Sequence, residues 1–182
     1  MRTLSKAVAV AVLLGGLVSS PVTGQASIDI EEFRSMLIEG FENARTMDIE
    51  FAMAIPDSAF RWAPTDGVRT FSEQVAHAGI SNTLFMATPV LGEARPVVGD
   101  TAVYLNDREA LVAALNGAYD YVIEGVVELP AEEFLVETTF FGQTMLKWRV
   151  LVQALTHGIW TRGQMVPYFR MNDVEPPRYR AF

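Results

Sequence analysis

The chain has 182 residues, half of them hydrophobic, no cysteine and a net charge of −8. That acidic balance argues against DNA, RNA or an anionic membrane as partner, since each needs a basic surface. Without cysteine there are no disulfides and no lipid-modified cysteine anchor. A domain of this size can instead bury roughly 70% of its unfolded surface and stand without cross-links.

Residues 1–26 have the make-up of an export signal. Arg2 and Lys6 give a positive start, Ala7 to Val18 is apolar apart from Gly15 and Gly16, and Gly24-Gln25-Ala26 supplies the small residues that a signal peptidase reads. The apolar stretch is shorter than the roughly 20 residues a membrane span needs. The sequence therefore predicts cleavage after Ala26 and a soluble product, periplasmic or extracellular, with no stable membrane anchor. Residues 27–182 then form one domain, more acidic than the whole chain because two basic residues leave with the signal.

Four helical stretches follow. The first is predicted from about Asp29 to Met53, where Phe33, Leu37, Phe41, Ala44, Asp48 and Phe51 recur at spacings of three and four. Pro56 stops it by forcing Ile55 out of helical geometry. The second is predicted from about Phe71 to Ala87. Thr70 and Glu73 suit a capping box at its start, and Pro89 is expected to end it. Residues 89–105, with Pro89, Gly92, Pro96 and Gly99, read as a long connection. Asn106 with Glu109 is expected to open the third helix, which continues through Leu111, Leu115, Tyr119, Val122 and Val126 to Pro130. Phe134 to Phe141 alternates weakly and suits a short extended piece. The fourth helix is predicted from about Thr144 to Met171, with a kink at Pro167, whose ring clashes with the carbonyl of Gly163. The fold class expected is all-α, an up-down four-helix bundle. Leu37, Phe41, Leu84, Leu115, Val122, Leu151 and Leu155 are its expected core.

Two polar stripes interrupt these helices. On a wheel of about 100° per residue, Gln153, Thr161, Gln164 and Tyr168 all fall within about 40° of His157. Leu151, Leu155, Ile159 and Val166 lie on the reverse side. On the second helix Glu73, His77 and Ser81 share a face at spacings of four. His77 and His157 are the only histidines. A lone buried histidine is ordinarily a hydrogen-bonded core residue; two on separate helices of a bundle raise the metal reading, because neutral imidazole is the commonest transition-metal ligand. From the residues alone, the core-histidine reading stays ahead. Glu73 has its structural role in the capping box and an alternative role as a carboxylate ligand one turn before His77. Thr161 is a poor ligand, its neutral hydroxyl being a weak donor beside imidazole. Gln164 suits a hydrogen bond to a water or to His157. No nucleophile elbow, His-Glu-x-x-His, phosphate loop or paired cysteines occur.

The run Leu155-Thr156-His157-Gly158-Ile159-Trp160-Thr161-Arg162-Gly163-Gln164, followed by Tyr168-Phe169-Arg170 and Pro176-Pro177, resembles the last helix and C-terminus of the DinB-like proteins. The stretch Pro56 to Trp62, Pro64, and Val68-Arg69-Thr70-Phe71-Ser72 leading into His77 extends the likeness over most of the domain. The resemblance implies a four-helix bundle whose divalent metal is held by one histidine on the second helix and two at i and i+4 of the last. The matching positions here are His77, His157 and Thr161, so one of the three family histidines is missing. Several relatives use small thiols in transfer or isomerisation. The reading that follows is an exported DinB-like domain with a degenerate metal site, serving as a pocket or binding protein for a small molecule. Zinc, nickel or manganese would bind weakly or not at all, with Gln164 and Tyr168 as cofactor-contacting residues. The alternative is a metal-dependent, thiol-dependent transferase with His77 and His157 as ligands and Glu73 or water completing the shell. Whether the chain forms a homodimer is left open.

Overall fold

The computed structural model describes residues 29–178 and residue 180; the expected signal segment and its cleavage point lie outside the described residues. Asp29 opens α1 (Ile30–Ala54) by accepting a hydrogen bond from the Glu31 amide at 2.9 Å. Ile55 ends it in extended geometry, as its place before Pro56 requires. A single turn, α2 (Asp57–Phe60), leads towards α3 (Phe71–Ile80). The capping box is present: the Thr70 hydroxyl accepts from the Glu73 amide, and the Glu73 carboxylate accepts from the Thr70 amide at 2.8 Å.

The second predicted helix differs from expectation in two ways. It breaks at Ser81 and resumes as α4 (Asn82–Met86), and it runs past Pro89 in a π-helical turn over Ala87–Leu91. In that turn the Gly92 amide reaches back to the Ala87 carbonyl, a pattern that asks no N–H of the proline. The stop is Gly92, which takes the left-handed conformation at φ 74°. The expected connection holds one more turn, α5 (Thr101–Tyr104), capped by Asp100. The cap of α6 (Arg108–Glu128) is Asp107, whose carboxylate accepts from the Ala110 amide at 2.7 Å. Asn106 instead turns back and donates to the Ala102 carbonyl at 2.7 Å, closing the turn before.

The extended piece is half of a hairpin. After a 3-10 turn over Ala131–Leu135, β1 (Glu137–Phe140) pairs antiparallel with β2 (Gln143–Leu146), Phe140 opposite Gln143. Phe141 and Gly142 make the tight turn with φ of 47° and 76°, the pair of positive values that matches strand twist. Thr144 is therefore a strand residue opposite Thr139, and α7 begins three residues later than expected, spanning Lys147–Arg170 with Pro167 inside it.

α1, α3–α4, α6 and α7 form the bundle, with α1 beside α6 and α3 beside α7. Met47, Phe51, Phe71, Val75, Leu115, Met165 and Phe169 fill one end of the core. Leu37, Phe41, Met86, Val122, Phe134 and Leu151 fill the other. Of the seven expected core residues, Leu84 and Leu155 are only partly buried against the second cluster. Leu155 sits over Gly40, where a Cβ would come within 2.9 Å of its Cδ1.

Between the two clusters lies a polar centre. Asp48 of α1 is fully buried, accepts from the Tyr119 hydroxyl of α6 at 2.6 Å, and accepts from Arg162 of α7 at 3.0 Å. α3 closes over it at Gly79: a Cβ there would lie 2.4 Å from Leu115 Cδ2 and 3.0 Å from the Asp48 carboxylate. Truncating the fully buried Leu151 to alanine should cost about 2–5 kcal/mol, and Leu155 less because it keeps some solvent contact. Urea unfolding of the two variants measures this order.

Candidate functional site

The polar stripe of α7 does not face the middle of the bundle. It runs along the seam with α3, while the core takes Val150, Leu151, Ala154, Gly158, Met165 and Phe169 from the adjoining face. Ile159, expected on the apolar side, is exposed. The reason is that α7 packs against both α3 and α1, so its most buried line lies between them.

Along that seam the two histidines meet. His77 Nε2 and His157 Nε2 are 3.2 Å apart, with the rings 4.8 Å between centroids and nearly perpendicular. The Ser81 hydroxyl donates to the His77 backbone carbonyl and stands 3.2 Å from His77 Nδ1. Its single proton being given to the carbonyl, the Oγ lone pair receives the proton of His77 Nδ1. His77 Nε2 is then an acceptor, and His157 Nε2–H is its donor. That assignment leaves His157 Nδ1 as a bare acceptor, and this buried atom finds no partner among the described residues. Phe85 packs on the His157 ring at 5.4 Å and Phe140 on Phe85 at 4.9 Å, so the hairpin roofs one side of the pair.

Both imidazoles are held neutral. Burial, then the charge of Arg69, then His157 lower the pKa of His77 to about 4. Burial, Arg69 and Arg162 lower that of His157. Behind the pair, burial pushes the Asp48 carboxyl up against the opposing pull of Arg162 and the Tyr119 hydrogen bond. For Arg162 burial is the largest single influence and lowers the pKa, but the charges and hydrogen bonds of Asp48 and Tyr119 together outweigh it and raise the pKa, so it stays charged.

The remaining expected residues do different work. Gln164 accepts from Gln74 of α3 at 2.8 Å, and Tyr168 donates to the Arg69 carbonyl at 2.6 Å. Both therefore tie α7 to α3 and to the loop before it, beside an open cleft of about 600 Å³ lined by Pro64, Gly67 and Pro167. Glu73 keeps its carboxylate on the Thr70 amide. Thr161 is buried one turn beyond His157. Gln153 contacts Met145 Sδ at 3.5 Å near the hairpin.

Two imidazoles on one metal at roughly 2.0–2.1 Å would stand roughly 3–3.5 Å apart, which the observed spacing allows. The rest of the donor set does not fit. Among the described residues no group of three histidine, aspartate, glutamate or cysteine side chains could hold a metal ion. A ligating histidine also normally donates its other ring N–H to an acceptor. Serine serves His77 that way; nothing serves His157.

The sequence model of the DinB superfamily matches residues 41–165. The chain belongs to the DinB superfamily. Its fold is similar to the crystal structure of a DinB-like protein, YjoA of Bacillus subtilis, at a TM-score of 0.62 and 20% identity over 80% of this chain and 97% of that one. No curated protein matches it in sequence. In this DinB-superfamily chain the residues that sequence reasoning missed are Asp48, Arg162 and Tyr119 as one buried network, and Arg69 and Arg95 at the mouth of the site. Asp48 carried a signal, since a carboxylate on the apolar line of a helix must find a partner. Arg95 carried none, because it sits in an irregular connection with no periodicity.

The depressed pKa of His77 gives stability a defined pH dependence. The unfolded chain takes up a proton on this imidazole near pH 6.5, whereas the folded chain resists until about pH 4. The unfolded state binds more protons across that window, so stability falls as pH drops from about 6.5 to about 4. Urea midpoints measured across this range should decline less steeply in His77→Gln than in the parent protein.

Proposed function

We propose that this DinB-superfamily chain is an exported small-molecule-binding bundle in which the family's divalent-metal site is reduced to a hydrogen-bonded histidine pair. The observation that carries this reading is the pairing itself: Nε2 to Nε2 at 3.2 Å, with Thr161 at the third ligand position and His157 Nδ1 buried without a partner. A catalytic zinc site normally has three protein ligands. A metal-dependent, thiol-dependent transferase would need a third donor and an acceptor for His157 Nδ1, and Glu73 is engaged on the Thr70 amide. What supports binding as the role is a cleft of about 390 Å³ on the Glu73–His77–Ser81 face of α3. It is shallow and mostly polar, and it gathers Arg69, Glu73, His77, Ser81 and Arg95 on one face.

Zinc, nickel or manganese should accordingly bind the parent protein weakly. Thr161→His should raise the affinity for zinc or nickel by tenfold or more, about 1.4 kcal/mol. The double variant Thr161→His/His157→Ala should lose that gain. Calorimetric titration of the three proteins decides the matter, and tight stoichiometric metal on the parent protein would overturn the reading.

The export part rests on the basic start, the short apolar stretch and Gly24-Gln25-Ala26. Mass spectrometry of protein from the extracytoplasmic fraction should find Ser27 as the first residue; an intact Met1 in a membrane fraction is the contrary result.

A further inference from the structure

We propose that the cleft beside His77 is a binding site for a small organic anion bearing a carboxylate or phosphate head, received by Arg69 and Arg95. This deepens the small-molecule reading above and rests on it.

The starting point is charge. Acidic residues outnumber Lys and Arg by 22 to 14 over the chain. Arg34, Arg45, Arg108, Arg162 and Arg180 each pair with a carboxylate, whereas Arg61, Arg69, Arg95, Arg149, Arg170 and Arg178 do not among the described residues. What sets Arg69 and Arg95 apart is that they share a cleft, the one of about 390 Å³ that His77 and Ser81 also line. Two unpaired cations on one concavity repel each other and favour a shared anion. Arginine is suited to the task because its planar fork matches the oxygens of carboxylate and phosphate.

Arg95 is also set in advance. Its Nε donates to the buried Thr83 hydroxyl at 2.7 Å, and one terminal nitrogen donates to the Ile80 carbonyl at 2.9 Å. The second bond satisfies a carbonyl at the break between α3 and α4, so Arg95 has a structural role beside the proposed one. Arg69 has no such role for its guanidinium among the described residues; only its backbone carbonyl is engaged, by Tyr168. The wall between the arginines adds Ala76, Ile80 and Leu105 for an apolar body. Glu73 also lines the cleft, but its carboxylate stands at the N-terminus of α3 and accepts the Thr70 amide, which offsets its charge there.

The test titrates chelator-treated protein with inorganic phosphate and, separately, with succinate, followed by calorimetry. Saturable binding of phosphate alone assigns a phosphate head; succinate alone assigns a carboxylate head; both assign a general anion site. Arg69→Met, at an exposed side chain, should weaken binding at least tenfold, about 1.4 kcal/mol. Arg95→Lys keeps the charge and loses the fork, and should weaken it as well. The proposal is overturned if neither anion saturates the parent protein up to roughly 10 mM, or if Arg69→Met binds as tightly as the parent. Metal is absent throughout, so this result is independent of the Thr161→His titration, and each reading can fail without the other.

Discussion

A carboxylate and a guanidinium meet in the dry centre of this bundle, and the arrangement of its helices depends on them. Asp48, Arg162 and Tyr119 come from α1, α7 and α6, and each is buried. Removing either ion from water costs several kcal/mol, so each is tolerable only with the other in place. Such a pair need not add stability over an apolar core of equal volume. Removing one member, however, strands a buried charge at a cost of about 3–5 kcal/mol. The network joins the inward faces of α1, α6 and α7, and Gly79 lets α3 approach the Asp48 carboxylate.

The site at the surface inherits its geometry from that centre. Arg162 lies five residues after His157 on the same helix, so once its guanidinium is anchored inwards, His157 faces the α3 seam. Gln74 to Gln164 and Tyr168 to the Arg69 carbonyl hold the same seam further along. His77 is met there at hydrogen-bond distance. The charge of Arg162 also contributes to keeping His157 neutral, which couples the buried network to the chemistry of the pair.

A neutral, perpendicular histidine pair is chemically different from a metal centre built on the same scaffold. In a metal site both Nε2 lone pairs point at the ion and both Nδ1 atoms carry protons that need acceptors. In the hydrogen-bonded pair one Nε2 gives its proton to the other, and His157 Nδ1 is left as an acceptor. Thr161, one turn beyond His157, offers only a neutral hydroxyl, a weaker metal donor than imidazole. Arg69, close to both rings, acts in the same direction by opposing an added positive charge.

Much of this was legible in the sequence, because spacing and end signals act locally. The apolar repeats of α1 and α6, Pro56 after Ile55 and the Thr70–Glu73 capping box each depend on neighbours a few residues away, and all appear as expected, whereas the apolar side read for α7 is not its core face. His77 and His157 each lie on a polar stripe in the sequence, and the structure brings the two stripes together along the seam of α3 and α7. Other features depended on packing between distant segments. Pro89 did not end its helix, because the chain widened into a π turn and stopped at Gly92. Asp107 rather than Asn106 capped α6, because Asn106 closed the preceding turn. Thr144 went into a hairpin that periodicity cannot distinguish from the first turn of a helix. By itself the sequence determined the helices, their order and the pair of histidines. The tertiary structure alone decided which polar residues are buried together, because the partners of Asp48 lie 71 and 114 residues away and only the closed bundle brings them within reach.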